Sequence, residues 1–514
     1  MNGIKISVRQ IALTGILTGG LLMFTNCIST DGKFSENNGT WMDVSLPSLY
    51  ETYSEHFDYV GLAAEYGNFG LKQNGNNKYT ASYTADGYWG RPNELYYSDV
   101  LKGISKHANT ITLGNELKPQ FVLGWWAPGT GDGNDFKTVK FTGTNGVTID
   151  VPASFGNEKL IYATLNAAKS AGVKMRGHVL TWHSQTPDDF FAENYSAKSN
   201  NNFSTLSNPV SKEVMTARHE WYIKSLLECV AAWEKENGYG MGNHLIWAWD
   251  VVNEAVADDG NPDGNFYRGS TSGTRNKGPA NGGSRWYEIY NSNEFIINAF
   301  RFANKYAPQD VELCYNDYNE YQAGKTEGII KLLQAVQNAE TVNPSAHGVE
   351  ALPARINVMA MQSHVGVLYP GVASYKSALE KFMALGLNIH VSELDFSAAS
   401  QEEAAAAYGE YFSMFQDYGN KSGLPQKIEC VTIWGINNQN SWINPAVNYS
   451  KKDAAGNFEK YQSYPLLFDL IDNNPATIVN VPVTGGSILL PKWDEGDSYK
   501  PNASFDAVIR ALKS

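Results

Sequence analysis

"IWAWDVVNEAVADD", residues 246–259, begins as a buried strand and ends as something else. Ile246, Trp247, Ala248, Trp249, Val251 and Val252 are what a strand covered on both faces requires. An amide, Asn253, and a carboxylate, Glu254, then follow, with more acids and Gly260 behind them. The apolar run therefore ends by delivering two polar side chains at its C-terminal tip.

Short apolar runs of the same kind recur along the chain. They fall at 59–64, 110–113, 173–179, 246–252, 311–315, 356–361, 387–392 and 430–435. Amphipathic stretches lie between them, including 158–171, 213–235, 292–306, 326–339 and 401–417. Strands alternating with helices predict an α/β protein, a (β/α)8 TIM barrel. A doubly wound sheet fits the same alternation, but no G-x-G-x-x-G follows an early strand. Two stretches exceed a minimal barrel: 127–150 and 473–499 read as small β-ribbon insertions, each too short to be a domain. Residues 46–514 are thus expected to form one catalytic barrel.

The N-terminal segment reads as an export signal. Lys5 and Arg9 precede an apolar run, residues 11–24, too short for a comfortable membrane span. Cys27 directly follows, as at a bacterial lipoprotein cleavage site, although Asn26 replaces the usual small residue. Residues 1–27 are therefore expected to be a signal with Cys27 lipidated, and 28–45 a flexible tether. This implies an exported protein, at the cell surface or in the periplasm, touching membrane only through that anchor. Cys229, Cys314 and Cys430 are far apart in apolar stretches and read as buried free thiols rather than a zinc site.

Composition narrows the partner. A net charge of −13 argues against nucleic acid, whose phosphates need a basic surface. Thirteen Trp and 29 Tyr exceed what a core needs, and aromatics often line a cleft. No H-E-x-x-H or comparable spacing appears, so neither metal nor cofactor is expected. A monomer is expected.

In a barrel, chemistry gathers where strands end. The second strand delivers Asn115 and Lys118, the third His178, Trp182 and His183, and the fourth Asn253 and Glu254. The fifth brings Asn316, Asp317 and Tyr318, the sixth Gln362 and His364, the seventh Glu393 and Asp395. Trp434 and Trp442 follow the eighth. Each has a bland alternative: a solvated loop acid, a satisfied core histidine, a packing indole. Jointly that alternative is poor, because packing does not ask for polar side chains at every rim from the second strand to the eighth. Amides and imidazoles can hydrogen-bond hydroxyls, and indoles can stack on sugar rings. Two glutamates from different strands are the minimum for glycoside hydrolysis, one protonated and one ionised.

The chain resembles the family 10 glycoside hydrolases, typically endo-β-1,4-xylanases. "RGHVLTWHSQTP" (176–187), "WDVVNEAVADDG" (249–260), "LCYNDYN" (313–319), "MQSHV" (361–365), "HVSELDF" (390–396), "VTIWG" (431–435) and "YPLLFD" (464–469) stand in family order. The resemblance implies that Glu254 is the general acid/base and Glu393 the nucleophile of a retaining double displacement. It implies that Asn253 binds the sugar 2-hydroxyl and that His364, oriented by Asp395, touches the nucleophile. Asn115, Lys118, His178 and Trp182 would bind glycone sugars, walled by Trp434 and Trp442. Gln362 would sit by the acid/base, and Asn316 and Tyr318 toward the aglycone. The implied substrate is β-1,4-xylan or its oligosaccharides.

Three departures from the family pattern stand out. Gly114 replaces a glutamate that contacts a distal glycone sugar, with Glu116 close by in sequence. Asp189 stands where a tryptophan is usual, and Asn438 where an aspartate is. Gly114 and Asp189 keep open a non-catalytic glycan-binding lipoprotein, and Gly114 keeps open the same chemistry on a glucan or a heavily substituted xylan, since a missing side chain at 114 could make room for a hydroxymethyl group.

Overall fold

Every residue of Ile246–Asn253 is buried, as a strand with a barrel interior on one face and helices on the other must be. The computed structural model describes residues 39–66, 69–73, 79–83, 94–96, 98–124, 137–197, 204–452, 456–471, 477–483, 486–492 and 499–513. Within it, Ile246–Asn253 is the fourth of eight parallel barrel strands. These are β1 (Tyr59–Ala64), β2 (Thr110–Leu113), β3 (Lys174–Trp182), β4 (Ile246–Asn253), β5 (Glu312–Asp317), β6 (Val358–Met361), β7 (Asn388–Ser397) and β8 (Ile428–Ile433). Each pairs in parallel with the next. β8 pairs back onto β1, from Tyr59↔Cys430 to Leu62↔Ile433. The sheet is closed and leaves no barrel edge unpaired.

A helix follows each strand: α1 (Ser98–His107), α2 (Glu158–Ala171), α3 (Lys212–Glu236), α4 (Glu294–Tyr306), α5 (Ala323–Asn338), α6 (Val372–Met383), α7 (Gln401–Gln416) and α8 (Ala503–Arg510). The expected (β/α)8 barrel is therefore present. Local chemistry sets the helix ends. Ser211 and Ser400 cap α3 and α7 by accepting from the amides of Val214 and Glu403. Gly172 ends α2 with φ of 70°, a conformation that needs no Cβ.

Expected and observed strands differ most at their C-terminal ends. β3 runs on to Trp182 and β7 to Ser397. Both extensions carry site residues, and an apolar pattern stops where polar side chains begin.

The expected ribbon at 127–150 is a hairpin of Thr138–Thr142 with Thr148–Pro152; its first part lies outside the described residues. The one at 473–499 contains a hairpin of Thr477–Val483 with Gly486–Lys492. Two further hairpins were not anticipated, Phe69–Gln73 with Tyr79–Tyr83 and Ala446–Lys452 with Phe458–Tyr461. Their strands lack long apolar runs.

The expected tether does not extend to residue 45. Trp41 is fully buried, edge-on to Tyr499 at 4.8 Å and stacked with His107 at 6.0 Å. An anchored indole is incompatible with a free linker reaching residue 45. The expected signal, Cys27 and the remainder of the expected tether lie outside the described residues. The three described cysteines are free, but Cys229 is only half-buried. Among the described residues no helix is long and apolar enough to cross a membrane.

Two layers of core position the site. A large cluster fills the space between strands and helices, and a smaller one, with Trp247, Cys314, Val358 and Cys430, plugs the barrel at its lower end. Tyr59 stacks on Trp247 there at 3.7 Å. At mid-height, Gly177 of β3 lies opposite Trp249 of β4. A Cβ at Gly177 would fall 2.3 Å from the indole, so the glycine makes the room the tryptophan occupies.

Candidate active site

Glu254 follows β4 directly and is turned by its backbone, with φ of +55°. A non-glycine residue there costs on the order of 1–3 kcal/mol and persists only when its surroundings hold it. Two contacts do so: Glu254 N donates to Asn316 O at 2.9 Å, and Arg268 Nε donates to Glu254 O at 2.7 Å. The carboxylate then faces the cleft. Trp182 Nε1 donates to Oε2 at 3.0 Å, and Gln362 Nε2 and Asn253 Nδ2 reach Oε1 at 3.1 and 3.3 Å. Gln362 also donates to Asn253 Oδ1 at 3.1 Å, so one amide holds both residues of the β4 tip. His183 Nδ1 stands 4.0 Å from Oε2. Burial, with Arg268 and Lys325, pushes the pKa of His183 well down, so it faces Glu254 as a neutral ring.

Glu393 sits deeper, 4% exposed, inside β7. Asn316 Nδ2 donates to its Oε1 at 2.7 Å and His364 Nε2 lies 3.3 Å from Oε2. Burial by itself would raise its pKa. The His364 hydrogen bond, the fields of His178 and His364, and the Asn316 amide outweigh burial and bring it below the ordinary carboxylate value. His364 is in turn held by Asp395, Nδ1 to Oδ1 at 2.8 Å. Trp442 Nε1 donates to the other Asp395 oxygen at 2.8 Å. Burial opposes charge on His364, but Asp395 and Glu393 push its pKa up to about 10. One group is thus kept ionised in a dry setting while a second, on the opposite wall, is reachable. That division suits a nucleophile and a proton carrier.

The remaining expected residues line the same cleft, of about 690 Å³. Asn115, Lys118, His178, Trp182, Asn253, Tyr318, Gln362, His364, Trp434 and Trp442 all border it. Lys118 Nζ lies 4.8 Å above the Trp182 ring. His178 Nδ1 is 2.9 Å from Asp250 Oδ2, whose other oxygen accepts from Arg176 Nη2 at 2.7 Å. Burial works against the Asp250 charge, but Arg176 and His178 hold its pKa down. Asn316 and Asp395 act from behind, through Glu393 and His364. Tyr318 is engaged more than expected: its hydroxyl donates to Asp258 at 2.6 Å and accepts from Arg268 at 3.1 Å.

Several residues of the site escaped sequence reasoning. Arg268 comes from a long loop after β4 and carries no local signal. Gln185 borders the cleft and donates to Asn115 Oδ1 at 3.1 Å; it lay inside a quoted motif. Asp250 and Arg176 had a signal: a charge within a strand buried on both faces demands a partner, and each strand supplies one.

The three departures have distinct structural reasons. Glu116 does not replace the side chain missing at Gly114. It is fully buried and accepts from the main-chain amides of Tyr66 and Asn115 at 2.8 and 3.3 Å. Asp189 accepts from Ala197 N at 2.7 Å, beside a buried pair of Asp188 with Arg285 at 2.7 and 2.8 Å. Asn438 donates to Asp469 at 2.9 Å and accepts from Leu466 N at 2.7 Å. Both anchor loops: an indole at 189 could not accept the Ala197 amide, and an ionised carboxylate at 438 could not donate to Asp469.

Among the described residues, one trio could in principle hold a metal: Glu312, His390 and Glu429, with ligand atoms within 4.8 Å of one another. They belong to the N-terminal halves of β5, β7 and β8, the end away from the cleft. His390 Nε2 lies 3.2 and 3.5 Å from the Glu312 and Glu429 carboxylates, and although burial opposes charge on the ring, Cys314 and these acids raise its pKa. The donor set is that of a buried charge cluster, not of a metal ligand.

Comparison with known proteins adds the family. The sequence model of "Glycosyl hydrolase family 10" matches residues 72–478. The chain is similar to endo-1,4-beta-xylanase Y of Acetivibrio thermocellus, 31% identical over 79% of this chain and 31% of that protein. It is similar, at 31% identity over 68% of this chain and 30% of the other, to a bifunctional endo-1,4-beta-xylanase of Ruminococcus flavefaciens. The chain thus spans about a third of the length of these relatives. Among solved structures, it resembles the CBM22-1–GH10 modules of Clostridium thermocellum endo-1,4-beta-D-xylanase 10B, complexed with xylohexaose. There the TM-score is 0.58 and identity 26%, over 91% of this chain and 68% of that one. An endo-1,4-beta-xylanase from Caldicellulosiruptor owensensis shares the fold, with TM-score 0.56 over 90% of this chain and 99% of the other. With the motifs in order around one cleft and the family match covering most of its length, the chain belongs to glycosyl hydrolase family 10.

Proposed function

We propose that this chain is a retaining endo-β-1,4-xylanase that cleaves internal bonds of xylan by double displacement. The observation that carries the reading is the contrast between its two glutamates. Glu393 is buried with a lowered pKa and held by Asn316 and His364, as a nucleophile requires. Glu254 is held at the opposite wall by Trp182 and Gln362, where it can donate a proton to the leaving oxygen and later take one from water. Relatives named as endo-1,4-beta-xylanases support the polymer.

The glucan alternative loses its motive, because the room expected at Gly114 is filled: Glu65 Oε1 lies 2.8 Å from where a Cβ would stand. The binding-only alternative, motivated by Gly114 and Asp189, loses the second of these, since Asp189 anchors a loop. Hydrolysis of xylan by wild type and Glu393→Ala tests the reading. Equal release of reducing sugar from both would sink it. A 2-fluoro xylobioside that leaves Glu393 covalently modified, read by peptide mass, tests the double displacement; modification elsewhere overturns that part. We further propose export as a lipoprotein through Cys27, tested by fatty-acid labelling of wild type and Cys27→Ala in a bacterial host.

A further inference from the structure

The carboxylate of Glu65, at the tip of β1, occupies the volume that a side chain at Gly114 would need. Its Oε1 and Cγ lie 2.8 and 3.0 Å from a Cβ built there. A glutamate at 65 in this pose and a side chain at 114 are mutually exclusive. Glu65 is also wired to the cleft: Asn115 Nδ2 donates to its Oε1 at 2.9 Å, and Gln185 Nε2 donates to Asn115 Oδ1 at 3.1 Å. Glu65 borders a small cavity that shares Gly114, Trp434 and Trp442 with the catalytic cleft. Two other acids stand nearby: Glu94 borders the same cavity and accepts from Glu65 N at 3.3 Å, and Glu116 accepts from main-chain amides.

We propose that Glu65 is a specificity-determining residue of the cleft, supplying from β1 the carboxylate that position 114 of β2 lacks. A carboxylate has paired acceptor oxygens suited to the vicinal hydroxyls of a pyranose, and charged hydrogen bonds are stronger than neutral ones. β1 stands two strands from the nucleophile's strand, about 10 Å around the barrel. The sugar it reaches is therefore not the one bonded to Glu393 but the next one out. The flanking indoles of Trp434 and Trp442 complete a binding position there. This rests on reading the cleft as a xylan site with its glycone at the β1–β2 end.

The test compares an aryl β-xyloside, which fills only the position at the bond, with the aryl β-xylobioside, which also fills the next. Glu65→Gln keeps an acceptor for Asn115 and removes the charge. Its kcat/KM on the xylobioside is expected to fall about 10- to 100-fold, at least about tenfold more than on the xyloside. A double variant, Glu65→Ala with Gly114→Glu, moves the carboxylate to the neighbouring strand and is expected to recover xylobioside activity over Glu65→Ala alone. Equal losses on the two substrates overturn the proposal, as does a double variant no better than Glu65→Ala. A wild-type enzyme that cleaves neither xylan nor the xylobioside overturns the functional reading instead, before any variant is compared.

Discussion

His364 joins the two carboxylates of β7, its Nε2 3.3 Å from Glu393 and its Nδ1 2.8 Å from Asp395. The acids sit two apart on one strand and so share a face. The imidazole answers both, and Trp442 fixes Asp395 from the far side. The arrangement favours a cationic ring and an anionic Glu393 in the same buried space.

Replacing His364 by Gln should therefore act on the acid side of catalysis. The lowered pKa of Glu393 depends on that hydrogen bond and charge. Without them burial wins, the pKa rises, and the acid limb of the kcat/KM profile moves to higher pH. Stability follows the other sign. His364 is raised from 6.5 to about 10, so its contribution is full below pH about 6.5 and fades as pH rises through about 10. The difference in Tm between wild type and His364→Gln should shrink over that window. An unmoved acid limb would show that Glu393 does not depend on the ring.

Arg268 should act as a positioning residue. It donates to the carbonyl of a glutamate held at φ +55°, and misplacement of a catalytic group by about 1 Å costs on the order of 100-fold. Arg268→Met is expected to lower kcat strongly while KM changes little. A KM effect of equal size would mean that Arg268 chiefly binds substrate.

The eight strands and most helices were legible because a barrel imposes one repeated pattern, apolar strand then amphipathic helix. Even the helix at 158–171 matches α2 to the residue. Rim residues were legible for the same reason: polarity that begins where an apolar strand stops has few uses. What escaped came from outside that logic. Arg268 lies in a loop whose path depends on tertiary contacts. Glu65, directly after β1, drew no attention in the sequence, because only the fold sets it beside Gly114. Glu116 lay nearest to Gly114 in sequence, and only the main-chain amides it accepts from show that it serves another purpose.

Glu320 should make the fold less stable at neutral pH than in mild acid. It is fully buried, with Oε1 accepting from Ser363 N at 3.0 Å and Oε2 without a hydrogen-bond partner among the described residues. Burial raises its pKa from 4.5 to about 7. The folded state thus holds a proton that the unfolded chain releases, and stability falls as pH rises between those values, by up to about 3 kcal/mol. Glu320→Gln removes the loss. Its Tm should exceed that of wild type at pH 8 by more than at pH 4. Parallel Tm profiles would count against it.

The packing of β3 on β4 makes the most local prediction. Gly177→Ala places a methyl 2.3 Å from the indole of Trp249, which is 2% exposed. Real Cβ atoms do not approach so closely, so either ring or strand must shift. Neither moves freely, because β3 carries Arg176 and His178 on either side of the glycine, both tied to Asp250 of β4. Overpacking of this kind costs about 1–3 kcal/mol or more, and any shift displaces His178 in the cleft wall. Gly177→Ala is therefore expected to lower both Tm and kcat/KM. Trp249→Leu should lower Tm alone by leaving a void. The double variant should be more stable than the sum of the two losses predicts, because the methyl then has space. Simple additivity in a double-mutant cycle would show that the glycine answers some constraint other than the tryptophan.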